Sequence, residues 1–222
     1  MDATVIKIGG SLALYQEKLK ILCSKLRVAS KKHNILVIPG GGEFADVVRV
    51  LDKRFTLSDS VSHKMAILGM DQYGFLLSDL IKGSQVINQL KHIQNIFDSH
   101  KLPIFLPSNF ILRNNPLENS WNVTSDSIAV YIANQLHIRK VILATDVDGI
   151  FTRDPKKYSD TKLICELSAR KLESMNERTS VDKFLPKLLS KMQVKCFVVN
   201  GLFPERVEDI LDKRNAICTI ID

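Results

Sequence analysis

Three short segments of this chain combine glycine with charged or hydroxyl residues: Lys7-Ile8-Gly9-Gly10-Ser11, Pro39-Gly40-Gly41-Gly42-Glu43 and Thr145-Asp146-Val147-Asp148-Gly149. Glycine lets the backbone come close to a ligand and adopt positive φ. A turn that leads into a helix presents N–H groups to an anion. Two such turns side by side would cradle a chain of phosphates. Neither of the first two matches the G-x-G-x-x-G or G-x-x-x-x-G-K-[ST] loop, and each taken singly is also what a plain turn looks like.

The elements that must position these segments are short β-rich runs alternating with helical stretches. Residues 4–8 and 35–38 read as buried strands, each ending at glycine. Residues 14–31 carry Leu19, Leu22, Leu26 and Ala29 at helical spacing, and 43–53 and 65–81 also read as helices. Strands are expected at 103–106, 140–144, 196–199 and 217–221. Helices are expected at 124–136, 183–192 and 204–211, with Asp126 in the favoured first turn and Pro186 near the start of its helix. A polar loop is expected at 145–157. The alternation implies a three-layer α/β/α sandwich with a mostly parallel sheet. In such a sheet ligands collect at the carboxyl ends of the strands, where all three glycine segments fall.

Composition narrows the function classes. The 222 residues suit one domain, and 45% hydrophobic with 25% charged is ordinary for a soluble protein. No stretch approaches the roughly 20 apolar residues of a membrane span, and no secretory signal is expected at the N-terminus, so the cytoplasm is the expected compartment. Cys23, Cys165, Cys196 and Cys218 form no C-x-x-C pair and read as reduced thiols, and the scattered histidines give no zinc spacing, so no protein metal site is expected. The net charge of +7 is spread along the chain without interleaved aromatics. That favours anionic small molecules over nucleic acid.

Taken together, Lys-x-Gly-Gly-Ser, Gly-Gly-Gly, Asn122-Val123-Thr124-Ser125-Asp126 and the run Thr145 through Asp148-Gly149-Ile150-Phe151-Thr152-Arg153-Asp154-Pro155 resemble the amino acid kinase family, in order and over nearly the whole chain. Within it, Trp121 to Asp126 and Ser180-Val181-Asp182-Lys183-Phe184-Leu185-Pro186 look most like a small archaeal-type branch. One activity of that branch is phosphorylation of aminomethylfuran-methyl phosphate in methanofuran biosynthesis. The resemblance implies an ATP- and Mg2+-dependent kinase, with a nucleotide-binding regulatory protein that has lost catalysis as the alternative. Residues 1–135 would form an acceptor lobe and 136–222 an ATP lobe, commonly assembled as homo-oligomers.

The same resemblance implies roles. Lys7 would neutralise charge on the transferring phosphoryl group, since positioning and electrostatics carry most of such catalysis. The amides of Gly9, Gly10, Gly41 and Gly42 would bind phosphate oxygens, with Ser11 beside them and Gly40 and Glu43 on the acceptor side. Asp126 would hold two catalytic lysines, and Asn122 and Thr124 would contact the acceptor. Thr145, Asp146, Asp148, Gly149, Ile150, Phe151, Asp154 and Pro155 would wrap the adenosine and ribose, while Mg2+ would be held by nucleotide phosphates and water. The family places the second lysine in Gly-Gly-Met-x-x-Lys, where this chain has Asp182-Lys183-Phe184-Leu185-Pro186-Lys187; spacing favours Lys187, with Lys183 as competitor.

No histidine falls in these motifs, so no general base for a hydroxyl is offered. The expected acceptor is one already ionised, a phosphomonoester or a carboxylate. Glu43, Phe44, Arg49 and Arg54 face this choice in the glycine-rich region. An amine on the acceptor would suit Glu43 or Asp182, and Trp121 or Phe44 would stack on a flat ring.

Overall fold

The computed structural model describes residues 2–155, 157, 158, 160–175 and 179–222; Lys156 of the expected 145–157 loop lies outside them. In chain order the elements are β1 (Thr4–Ile8), a 3-10 turn (Gly10–Leu14), α1 (Gln16–Ala29), β2 (Ile35–Pro39), α2 (Gly42–Phe55), α3 (Asp59–Leu80) and β3 (Ser84–Ile87). There follow α4 (Ile93–Asp98), β4 (Leu102–Phe105), α5 (Ser108–Asn114), α6 (Ser125–Gln135), β5 (Lys140–Thr145) and β6 (Ile150–Phe151). The chain ends with β7 (Leu163–Ile164), β8 (Glu166–Leu167), α7 (Ala169–Glu173), α8 (Leu185–Leu189), β9 (Lys195–Asn200), α9 (Pro204–Leu211) and β10 (Cys218–Ile221).

One eight-stranded sheet runs in the order β3-β4-β2-β1-β5-β9-β10-β8, with β6 and β7 paired separately. All neighbours in the large sheet are parallel except β9 and β10. The fold is the mostly parallel three-layer sandwich expected. Its strands are apolar on both faces because helices cover both. Side chains alternate: Val5, Leu36, Val141 and Val198 pack into one core with α6 and α8, while Ile6, Ile8, Val37 and Ile142 pack into the other with α1 and α9. Lys7 shares a face with Val5, so its side chain is directed to the α6 layer.

The carboxyl ends of β1, β2, β5 and β9 lie along one edge, and the chain crosses from one side of β1 to the other between β4 and β5. That reversal of strand order is where such sheets open a crevice.

Several elements differ from expectation. The helix expected at 14–31 begins only at Gln16, because the glycines before it close a 3-10 turn instead. The helix expected from 65 starts at Asp59, with the Ser62 hydroxyl donating back to the Ser58 carbonyl at 3.2 Å. The helix expected at 183–192 is confined to Leu185–Leu189, and its last turn tightens as Lys191 N–H donates to the Leu188 carbonyl at 3.0 Å. Ile150 and Phe151, expected in a loop, pair with Ile164 and Leu163.

The turns after β1 and β2 touch at backbone distance. A Cβ on Gly10 would stand 2.1 Å from the Gly42 nitrogen, and one on Gly40 would stand 2.6 Å from the Gly10 nitrogen. Gly10→Ala should therefore destabilise the fold by about 1–3 kcal/mol, read as a lower urea midpoint at unchanged slope. An unchanged midpoint would show that the two turns can part without cost.

Candidate active site

The site is assembled from strand ends inward. Lys7 is the fourth residue of the central strand, and its ammonium lies beside Gly9, 3.6 Å from where a Cβ on that residue would be. Lys7 Nζ is 2.6 Å from Asp126 Oδ1, with both residues buried. The contact is a charge pairing rather than an aligned hydrogen bond, since Oδ1 has no hydrogen-bond partner. Asp126 sits in the first turn of α6, where the helix dipole favours a carboxylate. Its Oδ2 accepts the Asp182 backbone N–H at 3.2 Å.

Asp182 itself is saturated. Its Oδ2 accepts Thr124 N–H (2.9 Å), Thr124 Oγ1–H (3.0 Å) and Ser127 N–H (2.9 Å). Its Oδ1 accepts Ser127 Oγ–H (2.6 Å), Phe184 N–H (3.2 Å) and Leu185 N–H (2.9 Å). Burial and the neighbouring Asp126 charge push this carboxyl up to about 6, against the pull of the hydrogen bonds from Ser127 and Thr124. An amine-binding role for Asp182 does not survive this arrangement, because both of its oxygens are occupied. The Thr124 hydroxyl, expected on the acceptor, is committed to Asp182 as well.

The two glycine turns divide their work. The amides of Gly9 and Gly40 donate to the Ala144 and Ile8 carbonyls, both at 2.8 Å, and so serve the sheet rather than a ligand. Gly42 has φ +56°, a conformation that a side chain disfavours. The first amides of the 3-10 turn and of α2 lack intrahelical acceptors and form a pair of helix N-termini. Gly10, Ser11, Gly41, Gly42 and Glu43 line one wall of a cavity of about 300 Å³.

That cavity continues through shared residues into two others. Arg49, Trp121 and Thr124 belong also to a central space of about 940 Å³, which Asn122, Asp126, Asp182 and Lys183 line. Thr179 and Ser180 join that space to a third cavity of about 340 Å³, lined by Thr145, Asp146, Gly149, Phe151, Asp154 and Pro155. Ser11 Oγ–H donates to Asp146 Oδ1 at 3.0 Å and ties the glycine turn of β1 to the loop after β5.

Other expected residues lie elsewhere. Lys187 is exposed on α8 with its ammonium 5.3 Å from the Phe184 ring, and it lines none of the three cavities; Lys183 lines the central one. Ile150 is fully buried, with its N–H on Thr219 Oγ1 at 2.7 Å. Asp148 Oδ1 accepts Asn200 Nδ2–H (2.9 Å) and Arg206 Nη1–H (2.6 Å). Burial alone would raise its pKa, but these two partners take it below the usual carboxylate range, and the pairing anchors the loop to β9 and α9. Phe44 and Arg54 are exposed and line none of these cavities. Trp121 is held edge and face: Nε1–H donates to Asp52 Oδ2 at 2.6 Å, and the Arg49 guanidinium stacks 4.1 Å from the ring centroid.

One functional candidate was missed in the sequence. His63 is buried in the wall of the first cavity with Ile67 and Met70. Their spacing of four and then three residues is the face of a helix, and it becomes visible once α3 is known to start at Asp59. Burial pulls the His63 pKa below its usual value, against a backbone hydrogen bond at Ser120, so the imidazole is neutral at pH 7.

A buried lysine–aspartate pair at the switch point of a parallel sheet, between a glycine-walled cavity and a loop-walled one, defines a phosphotransferase centre. The chain belongs to the amino acid kinase family, whose model matches residues 2–200. It is 40% identical over 219 residues to the (5-(aminomethyl)furan-3-yl)methyl phosphate kinase of Methanocaldococcus jannaschii, covering 98% of this chain and 96% of the relative. It is 25% identical to the uridylate kinase of Thermococcus kodakarensis, covering 96% of each. The crystal structure of uridylate kinase from Archaeoglobus fulgidus shares the fold with a TM-score of 0.78 at 20% identity, covering 99% of this chain and all of that one. An isopentenyl phosphate kinase substrate complex does so with a TM-score of 0.67 at 22% identity, over the full length of both.

The lowered His63 pKa has a sign. Below the unfolded histidine pKa of about 6.5 the unfolded chain takes up a proton that the folded chain refuses, so stability falls as pH drops. The thermal midpoint of the parent, relative to that of His63→Asn, should decline between pH 7 and pH 5. Parallel melting curves across that range would contradict a buried neutral imidazole.

Proposed function

We propose that this kinase transfers the γ-phosphoryl group of ATP to a small phosphomonoester, giving a diphosphate, with an acceptor of the aminomethylfuran-methyl phosphate type. The observation that carries this reading is the buried Lys7–Asp126 pair, whose aspartate lines a central space that shares wall residues with two differently built cavities. The nucleotide takes the third cavity, with adenosine against Phe151 and Pro155 and phosphates towards Ser11 and Gly10. The acceptor takes the first, which has apolar walls and a few convergent polar groups, as ligand cavities do. Arg49 and neutral His63 are placed for its phosphate, Glu43 and Asp46 for its amine, and Trp121 for a flat ring. The 40% identity to a kinase named for such a substrate supports the same choice.

An acceptor phosphate oxygen attacks the γ-phosphorus, the bond to the β–γ bridging oxygen breaks, and ADP leaves. Lys7 meets the charge on the transferring group, and Lys183 rather than Lys187 supplies the second cation. Mg2+ would be carried by the nucleotide phosphates and water, where it would offset their charge.

The first cavity is lined only by residues up to Ile128 and the third only by residues from Thr145, which supports an acceptor lobe over 1–135 and an ATP lobe over 136–222. Exposed Val47, Val50, Leu68 and Phe75 on α2 and α3 suit a homo-oligomer formed through that face. No described helix is long and apolar enough to cross a membrane. The four cysteines are free, which suits the reducing cytoplasm.

An acceptor screen with MgATP and ADP detection tests the reading. Turnover is expected with an aminomethyl-bearing aryl or furyl methyl phosphate, and Lys183→Ala should lower kcat about 10²-fold while Lys187→Ala leaves it within about threefold. Turnover with acidic amino acids but no phosphomonoester would replace this proposal by a carboxyl-group kinase.

A further inference from the structure

Between α6 and α8 the carboxylate of Asp182 gathers more hydrogen bonds than a turn requires. It accepts the N–H groups of Thr124 and Ser127 at the start of α6, and those of Phe184 and Leu185 at the start of α8. One side chain thus caps two helices from different parts of the chain. The hydroxyls of Thr124 and Ser127 complete its shell. Neither helix is capped by its own N-cap side chain, so this shared acceptor, together with the Asn122 carbonyl that also accepts the Phe184 N–H at 3.1 Å, holds the two N-termini.

The consequence reaches the reacting centre by one bond. With its side chain fixed, the Asp182 backbone N–H is aimed at Asp126 Oδ2, at 3.2 Å. Asp126 Oδ1 is the atom that faces Lys7 Nζ. Lys183 follows Asp182 directly in the chain and lines the same central space. We propose that Asp182 is the positioning residue that sets the orientation of Asp126, and through it Lys7, and at the same time the place at which Lys183 enters the site. It touches neither ATP nor the acceptor. A glycine-containing turn would reach this geometry by backbone freedom, whereas here a carboxylate imposes it by hydrogen bonding. The proposal rests on the phosphotransferase reading for its kinetic consequence and on geometry alone for its structural one.

Asp182→Asn keeps the shape but removes half of the acceptor capacity. It should lower kcat about 10²-fold, because a shift of about 1 Å in catalytic groups has that effect, while KM for ATP and for the acceptor stays within about threefold. Because Asp182 acts through Asp126, the Asp182→Asn/Asp126→Asn double variant should be no slower than Asp126→Asn alone. Amide hydrogen exchange on the nucleotide-free protein should show faster exchange at Thr124, Ser127, Phe184 and Leu185 together. Should Asp182→Asn not fold, Ser127→Ala removes a single donor, and a kcat lowered about threefold to tenfold at constant KM is then the expected result. An unchanged kcat in whichever variant folds, additive losses in the double variant, or exchange that rises at one helix only would each overturn the proposal. If the parent shows no turnover with any acceptor, the phosphotransferase reading fails, and the exchange pattern still decides whether Asp182 joins the two helices.

Discussion

A lysine ammonium and an aspartate carboxylate held 2.6 Å apart inside the protein are the constraint around which this structure is arranged. Withdrawing two charges from water costs several kcal/mol per ion, and their attraction offsets this only with close geometry and supporting hydrogen bonds. The fold supplies both. Lys7 stands on the central strand, paired on one side to β2 and on the other to β5, so its backbone has no freedom to drift. Asp126 stands in the first turn of α6, and its Oδ2 accepts the Asp182 amide N–H.

The surrounding elements bring three cavities around this pair, and Asp126 lines the central one. Glycines at 10, 40 and 42 let two strand-end turns close against one another, which gives the first cavity a wall made largely of backbone. On the other side, the loop after β5 is tied to β9 and α9 by Asp148, Asn200 and Arg206, and to the β1 turn by Ser11 and Asp146. The two outer cavities therefore rest on the same strand ends.

Much of this could be read from the sequence because it depends on local signals. Apolar runs ending in glycine located β1 and β2, and Asp126, four residues after Asn122, located the start of α6. Lys7 inside an apolar run marked a buried cation. The parts that could not be read depend on distant partners. Nothing near Asp182 in the chain indicates that it reaches Thr124 and Ser127. Spacing favoured Lys187 over Lys183; both are exposed, and only the folded chain shows that Lys183 lines the central space. Asp148 resembled a nucleotide ligand because its anchor, Arg206, lies 58 positions later. His63 was overlooked because α3 begins earlier than its apolar periodicity does. Ile150 matched a family motif, yet it is a core residue.

The central claim is that the buried pair exists for phosphoryl transfer and not for stability. Replacing both charges together, Lys7→Met with Asp126→Asn, avoids leaving one ion buried alone, and exchanges of this kind are often neutral or stabilising. The decisive measurement is the single-turnover rate of this double variant beside its thermal midpoint. The account predicts a midpoint equal to or above that of the parent, with phosphoryl transfer slowed by at least about 10²-fold. A folded double variant that transfers phosphate at the parent rate would contradict it.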